Sequence, residues 1–255
     1  MRLRLIRNAT LHVRLAKRCL LVDPMLDPAG ARPPVEDTAD PRRNPLVELP
    51  EPAAVVVAGL DGAIVTHLHR DHLDETAIEL LPGDLPLFAQ PEDVARLRER
   101  GFTDVRPVEG TLEWDGVRLT RTPGRHDTGR IGESMGPVSG FVLAAEDEPV
   151  LYVAGDTIWC DEVVAALDGH RPDVVVVNAG AARFLEGDPI VMTADDVVAV
   201  ARHAPDARVV VVHLEAMNHC PLTRADLHQR LHDEDLTERV TVPEDGAEIP
   251  LGAPG

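Results

Sequence analysis

The chain has 255 residues, 44% of them apolar, and carries 25 basic against 44 acidic side chains for a formal charge of −19. That length allows one large domain or two small ones with a sizeable core, and the apolar share is ordinary for a globular protein. The charge, with no segregated run of basic residues, argues against a nucleic-acid partner, and no apolar stretch approaches the roughly 20 residues of a membrane-spanning helix.

The opening stretch Met1-Arg2-Leu3-Arg4-Leu5-Ile6-Arg7 lacks the continuous apolar segment of a secretory signal, so a cytoplasmic protein is expected. The cysteines, Cys19, Cys160 and Cys220, are odd in number and far apart, which is no disulfide framework. Lys17 is the sole lysine, leaving Schiff-base chemistry almost without a candidate. With only 3% aromatic residues, the core must be built from Val, Leu, Ile and Ala.

Leu3 and Leu5, then Leu11, Val13 and Leu15, alternate with polar residues and predict two strands joined at Asn8. Cys19-Leu20-Leu21-Val22 stays apolar until Asp23-Pro24 and predicts a buried strand stopped by proline. Residues 27–54 are rich in Pro, Asp and Arg without periodicity and predict a long loop, a kind that is usually functional or disordered. A short apolar run at 55–58 precedes a strand at 63–66, a helix at 74–81, a short strand at 87–89, and a helix from Pro91 to Arg100 ended by Gly101. Asp115-Gly116 between 111–114 and 117–122 signals a hairpin, and 141–145 with 150–153 predicts a second. Further on, 163–167 reads as helix and 174–177 as buried strand. Thr193 caps a helix reaching His203, 208–212 is a buried strand, 224–232 a helix, and a last strand lies near 240–242. No linker divides the chain, so residues 1–255 are expected to form a single domain, a layered α/β sandwich.

The densest chemical signal follows the strand at 63–66. His67, His69, Asp71 and His72 form the pattern His-x-His-x-Asp-His. Imidazoles this close repel if protonated, whereas neutral imidazoles and a carboxylate are the usual donors to zinc. A solvated His-rich loop is the bland alternative. Strand ends offer further candidates, since loops there present chemistry. His126 follows the strand at 117–122, Asp156 follows Leu151-Tyr152-Val153, His213 ends Val209–Val212, and His219 lies six residues later in Asn218-His219-Cys220. Each alone could be a hydrogen-bonded loop residue; the same placement recurring argues for a shared site.

With these residues the chain resembles the metallo-β-lactamase superfamily over about residues 3–242. Val22-Asp23-Pro24 and Ala154-Gly155-Asp156-Thr157 are similar to the branch that includes ascorbate-6-phosphate lactonase. The resemblance implies a four-layer αββα sandwich with a dinuclear site. It implies that His67, His69 and His126 hold one ion, that Asp71, His72 and His213 hold the other, and that Asp156 bridges them. His219 competes with His213 as last ligand; His213 is preferred, which leaves His219 as an outer-sphere or substrate-contacting residue. Asp23 and Asn218 are candidates for the same supporting role. The nitrogen and oxygen donors suit two Zn²⁺ ions, and Mn²⁺ or Fe²⁺ are compatible.

Two such ions can bring the pKa of a shared water from 15.7 toward 7, so the implied reaction is hydrolysis by hydroxide, with Asp71 and Asp156 as the catalytic carboxylates. The expected substrate is a small, anionic ester, lactone or phosphoester, and a homo-oligomer is compatible with the sequence. Flavo-diiron proteins carry a carboxylate where this chain has His69, which weakens a redox reading. A non-catalytic metal-binding protein on the same fold and a nucleic-acid phosphodiesterase are the rival readings. Candidate substrate contacts are the loop around Arg42-Arg43-Asn44-Pro45, the segment 124–136 with Arg125, Arg130, Glu133 and Ser134, and Trp159; Cys220 reads as a small buried apolar residue.

Overall fold

A computed structural model describes residues 1–126 and 135–251. In chain order, the first half contains β1 (Arg2–Arg7), β2 (Thr10–Leu15), β3 (Arg18–Val22), α1 (Ala53–Val56), β4 (Gly62–Val65), α2 (Glu75–Leu80), β5 (Leu87–Ala89), α3 (Val94–Glu99, entered by a 3₁₀ turn at Pro91–Asp93) and β6 (Val105–Pro107). The second half contains β7 (Thr111–Trp114), β8 (Val117–Pro123), β9 (Ser139–Ala144), β10 (Leu151–Val153), α4 (Asp161–His170), β11 (Val174–Asn178), α5 (Ala194–His203), β12 (Arg208–Val212), α6 (Arg224–Asp233), β13 (Val240–Thr241) and β14 (Glu248–Ile249).

The strands form two seven-stranded sheets, ordered β14-β1-β2-β3-β4-β5-β6 and β13-β12-β11-β10-β9-β8-β7. In each, antiparallel pairing gives way to parallel pairing, from β3 to β6 in the first and from β10 to β13 in the second. The unbroken valine runs explain the layering. Successive strand side chains point to opposite faces. Val174, Val176, Val210 and Val212 therefore meet Leu20, Val22 and Ile64 of the other sheet in one central core. Val175, Val177, Val209 and Val211 face outward onto α4, α5 and α6, while Leu21, Ala63 and Val65 face α2 and α3. A strand buried on both faces must be apolar at every position, as β4, β5 and β10 are. The result is the expected αββα sandwich.

Local chemistry sets the helix ends. The Asp74 carboxylate accepts from the Ala77 amide at 2.9 Å and opens α2. Thr193 and Asp196 form a reciprocal capping box at the start of α5. The apolar run at 55–58 belongs to the end of α1 and the turn after it, since Pro52 starts a single helical turn there. Sequence periodicity missed β6 and β14. Both are edge strands, short and marked by proline or charge, which is how natural sheets blunt their edges. No helix among the described residues is long and apolar enough to cross a membrane.

The expected loop at 27–54 holds no helix or strand up to residue 52, where α1 takes over, and one isolated bridge, Arg32 to Asn44, crosses it. Arg7, fully buried, donates to the carbonyls of Val47, Met25 and Asp27 at 2.9, 2.9 and 2.8 Å. Burial pulls its guanidinium down to about 10, which leaves it charged at neutral pH. Asn218 ties down the middle of the loop. Its side-chain oxygen accepts from Val35 N and Asn44 Nδ2, and its Nδ2 donates to Thr38 Oγ1 at 2.6 Å and Asp40 O at 2.7 Å.

Candidate functional site

All the singled-out donors sit just beyond the C-terminal ends of strands, where the two sheets open toward the same edge. β4 delivers His67 to His72, β8 delivers His126, β10 delivers Asp156 and β12 delivers His213. Two groups result. Ligand-type atoms of His67, His69 and His126 lie within 4.8 Å of one another, as do those of Asp71, His72, Asp156 and His213. Asp156 touches both groups: its Oδ2 is 3.2 Å from His72 Nε2 and 3.6 Å from His126 Nε2, and its Oδ1 is 3.8 Å from His213 Nε2. His213, not His219, belongs to the second group.

The hydrogen bonds behind these groups fix which nitrogen faces inward. His72 Nδ1 is 2.8 Å from Asp23 Oδ2, and His126 Nδ1 is 2.6 Å from the Ile190 carbonyl. His213 Nδ1 lies 3.4 Å from Cys220 Sγ. Thr66 donates its hydroxyl proton to Asp23 and so receives the His67 Nδ1–H. His69 donates from Nε2 to the Met135 carbonyl at 3.1 Å. With these outer protons placed, His67 Nε2 and His69 Nδ1, 2.8 Å apart, face each other with lone pairs. His72 Nε2 is buried with no hydrogen-bond partner among the described residues. Inward-facing imidazole nitrogens beside two buried carboxylates are a donor set that a divalent cation satisfies, since buried charge demands a counter-charge.

The electrostatics differ between the two groups. Burial, then His72 and His69, pushes the His67 imidazole well below its ordinary value. Burial opposes charge on His72 as well, but Asp156 and Asp23 outweigh it and hold that imidazole well above. Burial would likewise raise Asp71 and Asp156, yet hydrogen bonding from His213 and the charge of His72 hold Asp71 well below the usual carboxylate range, and the charges of His72 and His213 do the same for Asp156. The carboxylates are thus kept ionised inside the fold.

Backbone conformation pays for this placement. Asp23 and His213 both adopt positive φ, 44° and 64°, which is costly for non-glycine residues and concentrates at functional sites. Gly180 gives His213 its room. A Cβ there would collide with the His213 carbonyl and lie 2.8 Å from Cys220 Cβ. Gly180→Ala is expected to lower stability by roughly 2 kcal/mol or more and to displace His213; chemical denaturation together with elemental analysis of the purified variant checks both.

Other candidates sort clearly. Cys220 is buried against His213, outside both donor groups. Trp159 packs on the core behind α4, and Arg125 pairs with Glu162 at 2.7 Å. Arg42 pairs with Asp40, and Arg43 binds the carbonyls of Gly30 and Ala31. Arg130, Glu133 and Ser134 lie outside the described residues. Asn178, which sequence reading passed over, donates to Asp156 Oδ1 at 2.7 Å. Its signal was present: a polar residue ending a buried strand, the rule that picked out Asp156 and His213.

A cavity of about 310 Å³ opens onto His69, Asp71 and His219. The loop 27–54 supplies one wall through Arg32, Pro34, Val35 and Asn44, and Phe184, Ile190 and Met217 supply another. His219 is nine-tenths buried, and its burial pulls the imidazole down to about 4, so it is neutral at physiological pH.

Residues 18–214 match the family model described as "Beta-lactamase superfamily domain". The chain belongs to this superfamily. It is a metal-dependent hydrolase, the description that several of its relatives carry. The UPF0173 protein YddR of Bacillus subtilis (strain 168) is 37% identical over 94% of this chain and 96% of its own length. A UPF0173 metal-dependent hydrolase of Sinorhizobium medicae (strain WSM419) is 29% identical over 74% and 77%. Among solved structures, a possible metal-dependent hydrolase from Veillonella parvula DSM 2008 superposes with a TM-score of 0.95 at 33% identity, covering 98% of each chain. An isothiocyanate hydrolase from Delia radicum gut bacteria superposes with a TM-score of 0.93 at 35% identity, again over 98% of each chain.

Proposed function

We propose that the seven clustered donors hold two divalent cations and that the chain hydrolyses a small molecule seated in the adjoining cavity. His67, His69 and His126 would hold one ion, Asp71, His72 and His213 the other, with Asp156 between them. The observation that carries this reading is the convergence of imidazole and carboxylate donors in two tight groups that meet at Asp156. Nitrogen and oxygen donors suit Zn²⁺, with Mn²⁺ or Fe²⁺ compatible. Such ions lower the pKa of a water toward 7 and polarise an electrophile. This chain's own residues would do the rest. Asp71 lines the cavity, its Oδ2 3.2 Å from His213 Nε2, and would orient the attacking water and take its proton. Asn178 holds Asp156 in place.

The cavity wall favours a substrate with an apolar group. Pro34, Val35, Phe184, Ile190 and Met217 give it no charge to pair with. An isothiocyanate fits this chemistry, and it is the substrate named for the 35%-identical structure. Hydroxide would add to the central carbon of R–N=C=S, the nitrogen would take up protons, and C–N cleavage would release R–NH₂ and carbonyl sulfide, consuming one water. Arg32 and Arg70 at the cavity favour, as second reading, an anionic ester, lactone or phosphoester.

The test is elemental analysis of metal-replete protein, with turnover of phenethyl isothiocyanate, 4-nitrophenyl acetate and bis(4-nitrophenyl) phosphate side by side. About two ions per chain and fastest release of phenethylamine are expected. Metal-free protein, or no turnover of any of the three, overturns the proposal; preference for an ester moves it to the second reading. Asp23→Asn keeps the shape behind His72 but removes the anion, and should weaken metal binding by about 10–100-fold, measurable by competition with a chromogenic chelator.

A further inference from the structure

His219 has no work in the donor set, yet it stands at the cavity. It lies outside both donor groups. It is nine-tenths buried, lines the cavity beside His69 and Asp71, and its Nδ1 is buried without a partner among the described residues. Its main chain is fixed, since the His219 carbonyl accepts from Arg183 N at 2.9 Å. Its ring meets His213 edge-on, 6.4 Å between centroids. The preceding residue, Asn218, is pinned by the loop that forms the opposite wall. A buried imidazole whose Nδ1 bonds nothing among the described residues costs stability unless something else uses it. Ligand pockets are mostly apolar with a few polar groups that fix orientation, and this cavity matches that description.

We propose that His219 is the substrate-contacting residue of the cavity, donating a hydrogen bond to the terminal heteroatom of the reacting group while Phe184, Ile190 and Met217 seat the apolar part. The heteroatom would be the sulfur of an isothiocyanate or the carbonyl oxygen of an ester. The inference rests on the hydrolase reading above for its substrate, but not for its test. As electron density moves onto that heteroatom during attack, the donor stabilises it, so the contact matters more in the transition state than in the ground state.

The experiment compares wild type, His219→Ala and His219→Gln as metal-replete proteins in three measurements. These are metal content, kcat and KM with phenethyl isothiocyanate, and calorimetric binding of O-methyl phenethylthiocarbamate, an unreactive mimic. The alanine variant should keep its full metal content and lose about 10–100-fold in kcat/KM, with mimic binding about 10-fold weaker. The glutamine variant, which retains a donor, should recover part of both; a purely structural histidine would show no such rescue. A fall in metal content would make His219 a ligand and overturn the proposal. Unchanged kinetics and mimic binding, or no mimic binding by the wild type, would overturn it too. If the wild type binds the mimic through His219 yet hydrolyses nothing, the hydrolytic reading fails and the contact stands.

Discussion

Asp156→Ala should reduce turnover by well over the roughly 100-fold that loss of an outer-sphere partner brings, with the fold retained. Asp156 follows β10 through Gly155, whose φ of 70° turns the chain sharply into the site. Its two oxygens approach His72, His126 and His213, donors contributed by three different strand ends. Removing it would leave both donor groups without their shared carboxylate and Asn178 without its acceptor. The neutral isostere Asp156→Asn separates charge from shape: it should fold as well as wild type, bind fewer ions and remain nearly inactive. Circular dichroism, elemental analysis and steady-state kinetics on both variants decide the matter. Either variant turning over at the wild-type rate would remove Asp156 from the reaction.

The second large effect is expected at a residue that is not itself a donor. Arg7→Met should cost about 3–5 kcal/mol of unfolding free energy, because three buried carbonyls lose their donor at once and each unsatisfied group costs about 1–3 kcal/mol. Methionine fills much of the volume but offers no proton. Arg7→Lys keeps a charge but cannot match the planar fork that reaches Val47, Met25 and Asp27 together, so an intermediate loss is expected. Urea denaturation with an unchanged slope would assign the loss to the native state. A shift below about 1 kcal/mol would mean that water or a rearranged loop replaces the guanidinium.

Much of this was legible in the sequence. The strands from β1 to β5 and the helix between Thr193 and His203 follow directly from alternation, apolar runs and caps. So do the donors, because ligand types ending apolar strands stand out against a valine background. The rest was hidden for physical reasons. β6 and β14 carry the charges and prolines that edges need, which erase strand periodicity. The role of residues 27–54 depends on contacts to Asn218 and Arg7, distant in sequence and without local pattern. Arg42 and Arg43 drew notice as cations, but they are spent on the loop itself; Arg32, ten residues earlier, reaches the cavity because its guanidinium is held by Asp27 and the Arg70 carbonyl. Asn178 was legible in principle and was overlooked because asparagine is a weaker ligand type than aspartate or histidine.

The wall formed by residues 32–44 hangs from two anchors, Asn218 in its middle and Arg7 at its ends, and neither anchor is a metal donor. The rest of its sequence would be free to drift without disturbing the reacting centre, provided Arg32, Asn44 and the backbone geometry survive. It would serve as an interchangeable jaw on a fixed vice. Among chains with the same His-x-His-x-Asp-His pattern, differences in what is hydrolysed should track this segment rather than the strands, and transplanting it between two such chains should carry substrate preference with it.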